Sequence, residues 1–234
     1  MRSRSRPGVS VTASGPLVER VEALNAFVFE RLGFSGDQDD FYDPRNSFLD
    51  QVLDRRVGIP ITLSLVYTEV GTRAGLPLQG VGFPGHFLVK AGQGPGSLVI
   101  DVFSGGKLLT ESDLNARLDA IYGAGALSIR AKPALLRAAT HREILVRMLR
   151  NLKSIYLRRE ENARVLDMVS AILALVPDLP EELRDRGLLY RDLGHMSAAL
   201  ADLRRFSALS DNAEEIAEVV RVISELETRP MRLH

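Results

Sequence analysis

Apolar residues recur in three- and four-residue steps at Leu17, Val21, Leu24, Val28 and Leu32. That is the spacing of one helical face, so an amphipathic helix is predicted over 16–32, stopped by Gly33. The next dozen residues are polar and turn-rich. Within them Asp43 offers an N-cap and Pro44 a first-turn proline, with Asn46 and Ser47 as competing caps. Phe48, Leu49, Val52 and Leu53 predict a short helix ending near Gly58. Pro60 then opens a third helix, whose apolar stripe of Leu63, Val66, Tyr67 and Val70 runs up to Gly75. Strands are predicted at 79–82, 86–90 and 98–102, with a short one at 107–109. Helices packed beside a small antiparallel sheet make an α+β domain.

Beyond about Thr140 the pattern becomes helical throughout, and it repeats. Tyr156 and Tyr190 are 34 residues apart, as are Leu149 and Leu183, and Leu166 and Leu200. A 34-residue helix–turn–helix period is the tetratricopeptide signature. The second unit carries the small and aromatic positions well at Gly187, Tyr190, Ala199, Leu203 and Phe206. The first is degenerate, with Lys153 in the place of Gly187 and Val165 in the place of Ala199. A final helix from Glu214 to Leu226 reads as a cap. Ile144, Leu145, Met148, Leu149 and Leu152 form a stripe too broad for two repeats to cover. The expectation is therefore that the repeats dock on the first domain, with no Pro/Gly/Ser-rich linker between them. The predicted organisation is a disordered arm over 1–16, an α+β domain over 17–135 and a repeat module over 136–228.

Composition narrows the chemistry. The 234 residues carry thirty basic and thirty acidic side chains, so no net field draws the protein to nucleic acid or an anionic membrane. There is no cysteine, which excludes disulfides, thiolate metal sites and a thiol nucleophile. No apolar run approaches the roughly 20 residues of a membrane span. The N-terminal Arg/Ser stretch lacks the hydrophobic core of a signal peptide, so the expected location is the cytoplasm.

The most suggestive chemistry lies around His86 and Asp101, which flank a Gly-rich turn at 91–97. If the hairpin is centred near Gly94, His86 falls opposite Asp101, Leu88 opposite Val99 and Phe87 opposite Ile100. Both faces are then chemically consistent. A carboxylate so placed accepts from an imidazole N–H and orients the ring.

The blocks YDPRNSFLDQVLDRRVGIPITLS, GVGFPGHFLV and IDVFSGGKLL, with RNLKSIYLRRE and ELRDRGLLY in the repeats, carry a resemblance. Over about 24–226 the chain resembles the SirB family of transglutaminase-like proteins. The resemblance implies a transglutaminase/papain-like fold, in which a helix N-terminus bears a cysteine and a sheet bears histidine and an acid. By position it implies that His86 and Asp101 match the histidine and the acid. The cysteine position falls on Pro60, because GIP stands where active enzymes have G-x-C.

Proline has no nucleophilic atom, so position 60 cannot act. Thr62 lies roughly 200° around the helix from Pro60, and Ser64 one turn on, about 6 Å along the axis. Ser64 is thus the alternative nucleophile, and the bland reading gives both hydroxyls local backbone bonds. Pro60, Thr62 and Pro84 line the expected pocket beside a relic His86–Asp101 dyad. Two ligands do not make a metal site, and the Gly-rich pieces lack a phosphate-loop frame, so neither metal nor cofactor is expected. Three readings follow. The leading one is a non-catalytic protein-interaction or regulatory protein. It would bind a protein or peptide partner along a repeat groove lined by Arg150, Lys153, Tyr156, Arg184 and Arg191. The second is a hydrolase or acyltransferase using Ser64 or a water with His86 and Asp101. The third is a peptide or amino-acid sensor.

Overall fold

A computed structural model describes residues 15–228, so most of the predicted arm, residues 1–14, lies outside the described residues. The chain divides into two compact units, the first ending at Ile144 and the second beginning at Leu145.

The first unit opens with α1 (Leu17–Asn25), which buries Val21 and Leu24 completely. One wider π-helical turn over Ala26–Arg31 continues it. β1 (Ser35–Gly36) pairs in parallel with β2 (Val57–Gly58), two strands that the hydrophobic pattern does not announce because neither is long enough to alternate. Between them lie a 3₁₀ turn at Pro44–Ser47, capped by Asp43 as expected, and α2 (Leu49–Arg55). α3 (Pro60–Arg73) follows, with Leu63, Val66 and Tyr67 buried against α1 and the sheet.

The sheet is an antiparallel meander of β3 (Leu78–Val81), β4 (Leu88–Ala91), β5 (Leu98–Asp101) and β6 (Lys107–Leu109). Its central register differs from the sequence expectation. Val89 faces Ile100, Lys90 faces Val99 and Ala91 faces Leu98, a shift of two from the predicted pairing. Pro95 is the cause. It occupies the second position of a turn closed by Ser97 N–H donating to the Gly94 carbonyl at 3.1 Å, where proline's fixed φ is favoured. The hairpin centre moves by one residue, and the pairing by two. A shift of two leaves every side chain on its expected face.

After β6 comes α4 (Glu111–Tyr122), a helix that the hydrophobic pattern does not announce. Its start is a capping box: Asp113 N–H donates to Thr110 Oγ1 at 3.2 Å, and Thr110 N–H to Asp113 Oδ2 at 2.9 Å. Leu114 and Leu118 anchor the helix on Val81, Phe83, Leu88 and Leu109.

α5 (His141–Arg158) leads into the second unit, which continues with α6 (Asn162–Leu175), α7 (Pro180–Asp192), α8 (Met196–Leu209) and α9 (Ala213–Thr228). α6 and α8 begin 34 residues apart, as the repeat requires. Val165, Val169, Leu183, Ala199, Leu203 and Phe206 are fully buried in its core. Gly187 allows α7 and α8 to touch: a Cβ there would sit 2.7 Å from the Leu203 side chain. Among the described residues no helix is long and apolar enough to cross a membrane.

Candidate functional site

His86 does not lie in a strand. It ends a turn over residues 83–86, in which His86 N–H donates to the Phe83 carbonyl at 3.1 Å. Pro84 sits at the second position and Gly85 at the third with φ +64°, the requirements of a type II turn. Pro84 is half-buried there. Asp101 is the last residue of β5. The following loop turns back through Gly105 and Gly106, both at positive φ, and Gly106 N–H donates to the Asp101 carbonyl at 2.9 Å. Gly106 admits no side chain, because a Cβ would fall 2.2 Å from Asn25 Oδ1. Asn25 in turn donates to the Gly106 carbonyl and accepts from the Tyr67 hydroxyl.

The two functional side chains meet across this frame. His86 Nε2 lies 2.9 Å from Asp101 Oδ1. A carboxylate only accepts, so Nε2–H is the donor in this contact. Asp101 is wholly buried and all its lone pairs are used. Ser104 donates to it through both its N–H and its hydroxyl, and Arg117 of α4 reaches Oδ2 at 2.5 Å. Burial by itself raises the carboxyl's pKa. The hydrogen bonds from His86 and Ser104, with the charges of His86 and Arg117, outweigh burial and hold it at about 2.

Arg117 and Ser104 are the members that sequence reasoning missed. Thr110–Glu–Ser–Asp113 followed by Leu114 and Leu118 is the signal that would have placed Arg117 on a helix. Nothing comparable marks Ser104.

The start of α3 is built differently from an open cleft. Pro60 is its first residue and is buried. Thr62, with no exposed surface, accepts from Ile59 N–H at 3.2 Å and donates to the Asn46 carbonyl at 2.8 Å. Pro60 and Thr62 therefore belong to the packed interior and not to a pocket wall. Ser64 is equally buried, but its hydroxyl finds no hydrogen-bond partner, neither His86 nor the backbone bond expected of it. Asn46 is the hub behind this helix start. It donates to Asp37 at 2.9 Å and receives Arg55 at 3.1 Å, while Asp43 holds Arg45. Hydrogen bonds from Asp40 N–H and Asn46 lower the pKa of Asp37, and Arg45 lowers that of Asp43.

In the second unit the five proposed groove residues separate. Tyr156 is 3% exposed and Lys153 8%, so neither lines a groove. Tyr156 packs in the core, with the Arg164 guanidinium over its ring. Lys153 Nζ binds Glu182 at 2.6 Å and Asp185 at 2.5 Å, and Arg150 also binds Glu182. Arg184 pairs with Glu215 and Asp185, and Arg191 with Asp192. Arg184 and Arg191 do line a groove of about 380 Å³ between α7 and α9, over Leu188, Val219 and Val222. Among the described residues no three His, Asp or Glu side chains converge as a metal centre would require.

Residues 3–150 match the family described as transglutaminase-like superfamily, and residues 152–226 match the tetratricopeptide repeat. A UPF0162 protein of Xylella fastidiosa (strain Temecula1) is 44% identical over 92% of this chain and 76% of its own length. A UPF0162 protein of Vibrio cholerae is 36% identical over 80% of this chain and 68% of its own length. F-box only protein 21 of Homo sapiens is 32% identical over 74% of this chain, but over only 28% of that protein. No solved structure matches.

Proposed function

This chain belongs to the transglutaminase-like superfamily, and from that membership we propose that it is a non-catalytic interaction or regulatory protein, of the SirB type within that superfamily. The observation that carries the reading is the start of α3. There Pro60, on which the resemblance would put the nucleophile, is buried, the Thr62 hydroxyl is taken up by Ile59 and Asn46, and no cysteine exists anywhere in the chain. The transglutaminase-like and tetratricopeptide domains together support a protein-interaction role. In this reading the His86–Asp101 pair is retained as architecture, because it ties the 83–86 turn to the end of β5 and to α4.

The repeat groove then supplies the partner surface, with Arg184 and Arg191 along one wall and an apolar floor beneath them. The setting is cytoplasmic and the partner a protein or peptide, with no role for nucleic acid. Affinity capture with the wild type and with the Arg184→Glu/Arg191→Glu variant tests this. Loss of partners from the variant is the expected result, and an identical partner profile overturns it.

A second reading is favoured by the intact 2.9 Å contact between His86 and Asp101. Such a pair positions a base, and a bound water or Ser64 would be its nucleophile in a hydrolase or acyltransferase. The unpartnered Ser64 hydroxyl speaks against the serine form. Hydrolysis of a peptide or amide that disappears in both His86→Ala and Ser64→Ala would promote this reading over the first.

A further inference from the structure

Next to the His86–Asp101 pair, four rings follow one another at near right angles. His86 and Phe103 are 6.2 Å apart at 82°, Phe103 and Phe41 5.9 Å at 78°, and Phe41 and Tyr42 5.3 Å at 79°. Successive perpendicular rings form angled walls beside the pair. Phe41 and Tyr42 are 40% and 47% exposed. Adjacent aromatic side chains this exposed mark an interaction surface more often than isolated apolar residues do.

These rings are held in place. Phe103 is wedged against β1, where a Cβ on Gly36 would come within 2.6 Å of its ring. The loop bearing Phe41 is pinned by Asp40 N–H on Asp37, by Asp43 N–H on the Asp40 carbonyl, and by Asn46 on both. A surface fixed in advance loses little conformational freedom on binding.

Charge identifies the occupant. The same loop carries Asp37, Asp39, Asp40 and Asp43. Asp37 and Asp43 are taken up by Asn46, Arg45 and Arg55. Asp39 and Asp40 are exposed, and among the described residues neither forms an ion pair. Arg45 is near enough to feel Asp40, but it is held by Asp43 at 2.6 Å. An acidic segment, a nucleic acid or an anionic membrane would be repelled here. A purely apolar partner would strip water from two carboxylates with nothing to replace it.

We propose that this surface docks a basic, extended segment of a partner protein, with a lysine or arginine stem laid over Phe41 and Phe103 and its charge toward Asp39 and Asp40. Cations sit well over aromatic faces, and long basic side chains cover apolar surface while their charged ends reach carboxylates. The site is separate from the repeat groove and does not depend on it.

The test uses fluorescein-labelled decapeptides with four lysines, four glutamates or four glutamines in one serine–glycine background, read by anisotropy on the full chain. The lysine peptide is expected to bind about tenfold more tightly than the other two, and to weaken as salt is raised. Phe41→Ala, and Asp39→Asn with Asp40→Asn, should each weaken it by about fivefold or more while leaving the thermal melt unchanged. Arg191→Glu in the repeats should leave it unaltered, which separates failure here from failure of the repeat groove. Equal or absent binding of the three peptides overturns the proposal, as do loop variants that bind like the wild type. A Phe41→Ala variant that changes the sedimentation mass would make a second copy of this chain the occupant, and would overturn it as well.

Discussion

At Asp101 four hydrogen bonds reach one carboxylate that has no exposed surface. Its pKa is held at about 2, below the ordinary 3.8. The sign follows directly. A lowered folded pKa stabilises the fold fully above the unfolded value, and that stabilisation is lost as pH falls from about 4 towards about 2, amounting to about 2 kcal/mol. Asp101→Asn leaves Arg117 without its anion, so the urea midpoint at neutral pH should fall by the equivalent of about 3 kcal/mol. The variant should also lose much of the acid dependence between those pH values, which equilibrium unfolding at stepped pH measures. At Pro60 the expected result is an absence: Pro60→Cys should show no ammonia release from glutamine amides above background. A thiol alone lacks the oxyanion donors and substrate groove that acyl transfer needs. Burst release of ammonia by that variant would show that the rest of the machinery survives.

Among the elements, what was legible depended on how much periodicity each could display. α3 was readable because its stripe of Leu63, Val66, Tyr67 and Val70 spans most of a 14-residue helix. β1 and β2 were not, because two residues cannot show a period of two. The hairpin faces were legible and its register was not, since the Pro95 turn moves the pairing without moving any side chain to the other face. α4 announces itself at its cap more than along its length. Thr110→Ala should therefore destabilise the fold by about 1 kcal/mol. Because α4 carries Arg117, the His86 ring resonances should shift with it in an NMR spectrum. A melt and spectrum identical to the wild type would disconnect the helix start from the dyad.

For the whole molecule, the sequence disclosed the two kinds of architecture through a change of period, and the 34-residue offset of α6 and α8 is the physical form of that change. The dyad was legible because His86 and Asp101 flank a single Gly-rich turn. Their partners Arg117 and Ser104, and the Asp37–Asn46–Arg55 network behind α3, come together only through tertiary contacts. Charge was the least legible property. Arg150, Lys153 and Arg184 read as a basic groove, yet each finds a carboxylate on a neighbouring helix. A formula with equal numbers of acids and bases does not say which of them meet.

Lys153 stands where the second repeat has Gly187, and its buried ammonium is held by Glu182 and Asp185 of α7. In a homogeneous array any unit can stack on any other, so a chain can collapse with its helices slipped by one repeat. Here a slipped stack would strand a buried cation without its two acids, a penalty of several kcal/mol that the correct joint avoids. The degeneracy of the first repeat thus works as an address, marking which helix α5 must accept and giving two near-copies a fixed order.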